Sequence, residues 1–79
     1  MENTTKLSNL KQGDKCVIQK LDIQDTAKKK RMIELGFCSG LKVQILKTSK
    51  ELMLVGVLGC SYSIDKDLAS KIFVWKGSN

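Results

Sequence analysis

Short segments in which apolar and polar residues alternate constrain the fold of this chain more than any other feature. In residues 14–21, Cys16 and Ile18 alternate with Lys15 and Gln19, which is the period-two pattern of a half-buried strand. A first strand is therefore predicted at residues 14–21, after a short helical turn or loop at residues 7–13. The fold predicted from such segments is mainly β.

The remaining strands follow from similar patterns and from the turn residues between them. They are predicted around Leu41, Val43 and Ile45, across residues 51–58, around Tyr62 and Ile64, and around Ile72 and Val74. The turns between them are predicted at residues 47–50 and at Gly59-Cys60, and Gly56 is predicted to mark a bulge or a close backbone approach. Several short strands in 79 residues favour a small closed or nearly closed barrel, because closure removes exposed strand edges.

One α-helix is predicted to interrupt the strands at about residues 25–35. Asp25 can cap its N-terminus by accepting hydrogen bonds from free backbone N–H groups, and Gly36 can end it in a left-handed conformation. A shorter helix is predicted near residues 66–70, where Asp65 can act as the cap. The fold is thus a β-barrel with one inserted helix and a second helical turn.

The helix has two different faces at 100° per residue. Its inward stripe is predicted to contain Ala27, Arg31, Met32 and Leu35, together with the stem of Lys28. Ile33 falls on the opposite side, beside Lys29 and Lys30. An apolar side chain among lysines is a common arrangement at interfaces, although single exposed apolar residues are also normal.

The length and the apolar runs limit the chain to one domain. A single domain over residues 1–79 is expected, because the chain contains no proline, linker or low-complexity stretch. No apolar run approaches the ~20 residues that a membrane-spanning helix needs. The polar N-terminus is expected to be neither a secretory signal nor an anchor, so no membrane insertion is expected.

The cysteines and the missing histidines bear on chemistry and on location. Cys16, Cys38 and Cys60 form an odd set without a CxxC pair, and the chain has no histidine. An odd, unpaired set favours a reducing compartment, and we expect a cytoplasmic protein. No metal site, cofactor or catalytic residue is predicted, because zinc ligands and nucleophile–base pairs need groups that the sequence lacks. A thiolate site would require Cys38 and Cys60 to converge in space.

The net charge of +6 lies entirely within residues 1–50, and it is densest from Lys28 to Arg31. A basic surface can bind nucleic acid, an anionic membrane or an acidic protein. Small barrels that bind nucleic acid usually also place several aromatic side chains on the strand face for base stacking. The sequence offers only Phe37, Tyr62, Phe73 and Trp75, of which at least two are predicted to be in the core. Nucleic acid is therefore not the expected partner.

The segment that follows the lysines contains a spaced motif, R-x-x-x-L-G-x-x-x-G-x-x-V, formed by Arg31, Leu35, Gly36, Gly40 and Val43. This motif resembles the pattern of the FeoA family. Outside that segment, the order of Leu10, Gly13 and Gly59 and of residues 68–74 also agrees with the family. The resemblance covers residues 7–75, and it departs from the family at Ser39, where a proline is common.

The resemblance implies an SH3-like barrel that acts as a non-enzymatic accessory to ferrous iron uptake. Its implied partner is the cytosolic part of FeoB, a membrane iron permease with a GTPase domain. The family pattern implies structural roles for Gly13, Leu35, Gly36, Gly40, Val43 and Gly59. The related C-terminal module of metal-dependent repressors is a less suitable model, since no helix-turn-helix segment precedes the match.

The residues predicted to contact the partner are Lys28, Lys29, Lys30, Arg31, Ile33 and Phe37. For Arg31 a structural role remains open, with its guanidinium bonded to loop carbonyls and its stem on the core. Two alternative functions also remain open, namely a basic barrel that binds nucleic acid and a metal-sensing regulatory domain. Self-association and the sign of any effect on the permease are left open by the sequence.

Overall fold

The computed structural model describes residues 4–76, which form one antiparallel sheet of six strands with two short helices. The strands are β1 (Thr4–Lys6), β2 (Lys15–Leu21), β3 (Lys42–Thr48), β4 (Leu52–Val57), β5 (Cys60–Asp65) and β6 (Ile72–Lys76). The helices are α1 (Thr26–Glu34) and α2 (Lys66–Ala69), and a single 3₁₀ turn, Leu7–Asn9, follows β1. The mainly β fold with one inserted helix is confirmed.

The sheet curls into a barrel that is nearly closed. Its strand order is β1-β6-β2-β3-β4-β5, so β1 and β5 are the two edges. The pairing shifts register at Gln19 on β2 and at Leu46 on β3, and such bulges bend and twist a sheet. The helix α2 joins β5 to β6 and contacts the 3₁₀ turn. These bends let six short strands surround one core.

The core is apolar and lies inside the curled sheet. Within residues 4–76 no charged or polar side chain is fully buried. The largest fully buried side chain is that of Phe37. The other members are Leu7, Leu10, Cys16, Ile18, Leu21, Ile23, Met32, Val43, Ile45, Met53, Val55, Val57, Ile64, Ala69, Ile72 and Val74. The buried members of β2, β3 and β6 alternate with exposed or half-buried residues, as the period-two pattern predicts.

Three strand predictions need correction. The predicted first strand is the second, because Thr4–Lys6 already pairs with β6; a polar three-residue segment has no alternation to reveal it. The strand β3 continues through Thr48, where a turn was predicted. The last β-hairpin turn is Leu58-Gly59 rather than Gly59-Cys60, since Val57 pairs directly with Cys60.

Gly56 is not itself a bulge; it lies where the side chain of Leu46 comes close to the backbone of β4. A Cβ placed on Gly56 would lie 3.5 Å from Cδ1 of Leu46. Leu46 is the extra residue on the facing strand β3. The bulge therefore lies on β3, opposite Val55 and Leu54, and Gly56 leaves room for the leucine side chain.

The helix α1 begins and ends where the sequence predicts. Asp25 accepts hydrogen bonds from the backbone N–H groups of Ala27 and Lys28, at 3.0 and 3.2 Å. Gly36 follows the last turn with a φ of +112°, a conformation that glycine adopts without steric cost. Neither α1 nor α2 has the length or the apolar composition that a membrane-spanning helix requires.

The predicted inward stripe of α1 is largely wrong. Only Met32 is buried and Leu35 is half-buried, whereas Ala27, Lys28 and Arg31 are exposed. The helix covers the core with little more than one side chain, so the stripe is narrower than a full amphipathic pattern predicts. Most of α1 is consequently surface.

Removing the N-cap of α1 should destabilise the protein measurably. We expect Asp25→Ala to lower the free energy of unfolding by about 1 kcal/mol, because two backbone N–H groups lose their acceptor. Urea denaturation followed by circular dichroism measures the change. Asp22→Ala removes the same charge from an exposed side chain that accepts no hydrogen bond among residues 4–76. An equal loss in both variants would contradict the capping role.

Candidate functional site

The exposed side of α1 carries four consecutive cations, Lys28, Lys29, Lys30 and Arg31. Three of them lie in the first half of the helix, where the macrodipole favours anions and disfavours cations. Lys28 and Arg31 are also three residues apart, a spacing at which like charges repel. The three lysines therefore do not stabilise the helix through its dipole, whereas Arg31 lies in the last turn, where a cation is favourable.

The cations of α1 are not neutralised within the part of the chain that the structure describes. The ion pair found among residues 4–76 joins Lys76 Nζ to Asp14 Oδ2 at 3.9 Å, and it involves no residue of α1. The one acidic residue of the helix is Glu34, in the last turn. The exposed side of α1 is thus a positively charged surface available to an acidic partner.

Ile33 places an apolar side chain on that surface. Its side chain is 44% exposed. Lys29 and Lys30 precede it by four and three residues, the spacings at which helical side chains are neighbours. An exposed apolar side chain rimmed by charge is an arrangement found at protein interfaces.

Leu58 is a candidate contact residue that the sequence analysis did not single out. It forms the tip of the β4–β5 hairpin and is 69% exposed. Its φ is +51°, the only positive φ of a non-glycine residue within 4–76. Together with Gly59 (φ +79°) it forms a two-residue turn with the positive φ values of type I′, which favours Asn-Gly. The signal in the sequence was a leucine immediately before a turn glycine.

Leucine at this position is unfavourable for folding in two ways. A left-handed conformation costs about 1–2 kcal/mol for a residue with a Cβ, and an exposed apolar side chain gains little from burial. Strained residues tend to occur at functional sites. Leu58 is therefore a candidate contact residue rather than a structural one.

Gly36 connects this turn to α1. A Cβ built on Gly36 would lie 3.0 Å from Leu58 Cδ1 and 3.0 Å from Val57 Cγ1. The Leu58 side chain therefore rests on the backbone that ends α1, three residues after Ile33. We name the set Lys28, Lys29, Lys30, Arg31, Ile33 and Leu58 the docking surface.

Phe37 does not belong to the docking surface. Its side chain is fully buried, so it is not available for the partner contact that the sequence analysis assigned to it. Its ring packs against Tyr62, with the centroids 5.9 Å apart. Arg31, by contrast, is exposed, and no hydrogen bond joins its guanidinium to a loop carbonyl among the described residues. The structural alternative for Arg31 therefore has no support.

The cysteines lie in three different environments. Cys16 is buried, Cys38 is half-buried and Cys60 is exposed, and all three are free thiols. Within residues 4–76 no three Cys, Asp or Glu side chains are close enough together to hold a metal ion. Burial and the nearby Asp14 carboxylate raise the pKa of Cys16 to about 12. A thiol held in its protonated form is a poor nucleophile and a poor metal ligand.

The shifted pKa of Cys16 predicts a loss of stability at alkaline pH. The ordinary value is 9.0 and the folded value is about 12, so between them the unfolded chain releases a proton that the folded chain retains. The free energy of unfolding should therefore fall as pH rises from about 9 to 12. Denaturation at several pH values should show a shallower decline for Cys16→Ala than for Cys60→Ala. The prediction would be contradicted if the free energy of unfolding fell equally steeply with pH in the two variants.

A shallow cavity of about 350 Å³ lies on the outer side of the sheet near the β3–β4 turn. Its lining residues are Lys47, Thr48, Ser49, Leu52, Leu54 and Ser63. Leu52 is about half exposed there. The lining contains no carboxylate, thiol or imidazole.

A family model described as the FeoA domain matches residues 5–76. The solution structure of the FeoA protein from Chlorobium tepidum is 25% identical and has a TM-score of 0.86; the match covers 94% of this chain and 71% of that one. No protein of curated function matches the sequence.

Two further structures have the same fold. The crystal structure of Stenotrophomonas maltophilia FeoA with zinc, described as a prokaryotic SH3 domain protein, is 24% identical with a TM-score of 0.79, covering 89% of this chain and 88% of that one. A manganese-dependent transcriptional repressor is 13% identical with a TM-score of 0.86, covering 98% of this chain and 44% of that one. The predicted SH3-like fold is confirmed.

Proposed function

This chain belongs to the FeoA family, and on that premise we propose that it is a cytoplasmic accessory protein of ferrous iron transport. It acts by binding the cytosolic part of the iron permease FeoB through the docking surface. The binding modulates the permease, whose GTPase domain faces the same compartment. The FeoA protein of Stenotrophomonas maltophilia is described as a candidate ferrous iron transport activating factor, which is consistent with this role.

The observation that carries the proposal is the pairing of Leu58 with α1. Leu58 combines high exposure with an unfavourable backbone conformation, and it lies against the end of a helix with unneutralised cations. Interface energetics are dominated by a few anchors surrounded by a charged rim. Leu58 and Ile33 suit the role of anchors, and the lysines suit the role of the rim. The matching partner surface has an apolar pocket with carboxylates around it.

The chemistry of the described residues favours binding over catalysis. The three thiols lie in separate environments, and the chain has no histidine to serve as a base. A domain of this size can still offer about 800 Å² of surface to a partner, which is the usual share of a stable interface. Iron is the cargo of the permease in this proposal and needs no ligand from the accessory domain.

The direct test is a titration of the purified protein against the cytosolic domain of the permease, with and without guanine nucleotide. Calorimetry should detect binding that weakens as salt rises, because exposed charges are screened beyond about 10 Å at 0.1 M. The variant Lys29→Glu/Lys30→Glu should bind more weakly than Lys50→Glu/Lys71→Glu, which makes the same change in net charge away from the docking surface. Absence of binding in every nucleotide state would overturn the proposal, as would equal losses in the two variants.

A further inference from the structure

A second basic surface lies on the outer side of the sheet. The strands β1, β6, β2 and β3 are neighbours in the sheet, and none of them contains an aspartate or a glutamate. Their buried residues face the core, so the alternate residues face outward. The exposed lysines among these include Lys6, Lys15, Lys20 and Lys42, which we name the basic sheet face. Lys47, also exposed on β3, lies beyond the Leu46 bulge near the β3–β4 turn.

The register brings these lysines together from three strands. Phe73 on β6 pairs with Lys6 on one side and with Lys20 on the other. Adjacent strands lie about 4.8 Å apart, so the two lysines flank Phe73 within about 10 Å. Val17 on β2 pairs with Lys42, and Lys15 lies two residues before Val17 on the same outer side. Four positive charges therefore share one continuous face.

The charges of this face are not neutralised by neighbours within residues 4–76. The ion pair in this part of the chain, between Lys76 and Asp14, leaves all four lysines unpaired. The Lys20 ammonium lies 5.4 Å from the centroid of the Phe73 ring, a cation–π contact. That contact holds the ammonium on the outer face without cancelling its charge. An anionic ligand is the complement of such a surface.

The two aromatic residues on this face indicate which anion fits. Stacking of bases requires an open ring face, but the Phe73 ring is covered by Lys20. Trp75 is half-buried, and its Nε1 is fully buried without an acceptor. The strongly exposed apolar residues among those described, Ile33, Leu52 and Leu58, lie elsewhere. The face is thus suited to contact phosphates through charge, without stacking and without insertion.

We propose that the basic sheet face binds the headgroups of anionic phospholipids. This inference rests on the proposed function, which places the protein beside a membrane permease. The helix α1 packs Met32 into the core, on the inner side of the sheet, and the docking surface shares no residue with the basic sheet face. Two weak contacts made at once raise the effective concentration of the protein at the permease.

The test uses the whole protein and lipid vesicles without any permease, so its result is independent of permease binding. Co-sedimentation should show binding to vesicles that contain phosphatidylglycerol and none to vesicles of phosphatidylcholine alone. Binding should weaken as salt is raised. The variant Lys20→Gln/Lys42→Gln should partition about 25-fold less, at about fivefold for each lysine near the surface. Thermal melting verifies that this variant and the control variant described next are folded.

The matched control is Lys28→Gln/Lys29→Gln, which removes the same charge from α1. It should retain most of the vesicle binding. Equal losses in the two pairs would show that net charge rather than this face is responsible, and they would overturn the proposal. Lack of binding to phosphatidylglycerol vesicles would also overturn it. A single-stranded oligonucleotide that competes effectively with the vesicles would identify nucleic acid as the occupant instead.

Discussion

Replacing Phe37 by alanine is expected to lower the free energy of unfolding by about 3–5 kcal/mol, the usual loss for a buried phenylalanine. Phe37 has no exposed surface and packs its ring against Tyr62. At about 0.05–0.15 kcal/mol per residue, the whole free energy of unfolding of such a domain is roughly 4–12 kcal/mol. The variant should therefore lose a large share of its stability and melt at a much lower temperature, as thermal denaturation followed by circular dichroism would show.

Two further variants keep this prediction testable if Phe37→Ala does not fold. Phe37→Leu should cost about 1–2 kcal/mol, because it keeps most of the buried volume, and should bind the permease domain with unchanged affinity. Ile33→Ala, near the end of α1, should cost less than about 0.5 kcal/mol because its side chain is partly exposed. If the Phe37→Leu protein is folded but no longer binds the permease domain, Phe37 contributes to the interface after all.

The second large effect is expected at Leu58. Changing Leu58 to asparagine should leave the stability unchanged or raise it by up to about 1 kcal/mol, since Asn-Gly suits a turn with positive φ values. The same change should weaken binding to the permease domain at least tenfold, which is about 1.4 kcal/mol, because the anchor side chain is lost. Urea denaturation and calorimetric titration of one preparation measure the two quantities.

A matched variant separates this effect from a general loss of apolar surface. Leu52 is also about half exposed, but it lies at the far end of β4, where it pairs with Asp65. Leu52→Asn should therefore leave binding unchanged. If Leu58→Asn destabilises the protein strongly, or if both variants bind as well as the unchanged protein, Leu58 has no docking role.

Stability and binding are expected to change in opposite directions at Leu58. A residue retained for packing would lose stability on replacement, whereas one retained for function can gain it. The same argument applies to the lysines in the first half of α1, because their charges are unfavourable near the positive end of the helix dipole. Positions that are unfavourable for folding thus mark the docking surface more clearly than charge alone.

Much of the fold is predictable from the sequence because it depends on local rules. The limits of α1 follow from the Asp25 cap and from Gly36, and α2 follows from Asp65. The alternation of Cys16 and Ile18 with polar residues identifies β2. The FeoA resemblance around Arg31 and Val43 then supplies the SH3-like arrangement. Each of these signals lies within a few residues of the element that it predicts.

The candidate site is only partly predictable. The lysines of α1 and Ile33 follow from helical spacing, and the structure places them on the surface as expected. Arg31 is exposed rather than on a buried stripe, because spacing along a helix does not show how much of it the core covers. Phe37 follows the helix and is buried rather than exposed. Leu58 escaped notice because a hairpin turn was expected one residue later.

By itself, the sequence determined the mainly β fold, the limits of both helices and the family, since each depends on local periodicity, capping and short-range motifs. Only the tertiary structure placed Leu58 against the end of α1, buried Phe37, and gathered Lys6, Lys20 and Lys42 on one face. Those placements join residues far apart in the chain. They depend on strand order and register, which arise when the whole chain closes around its core.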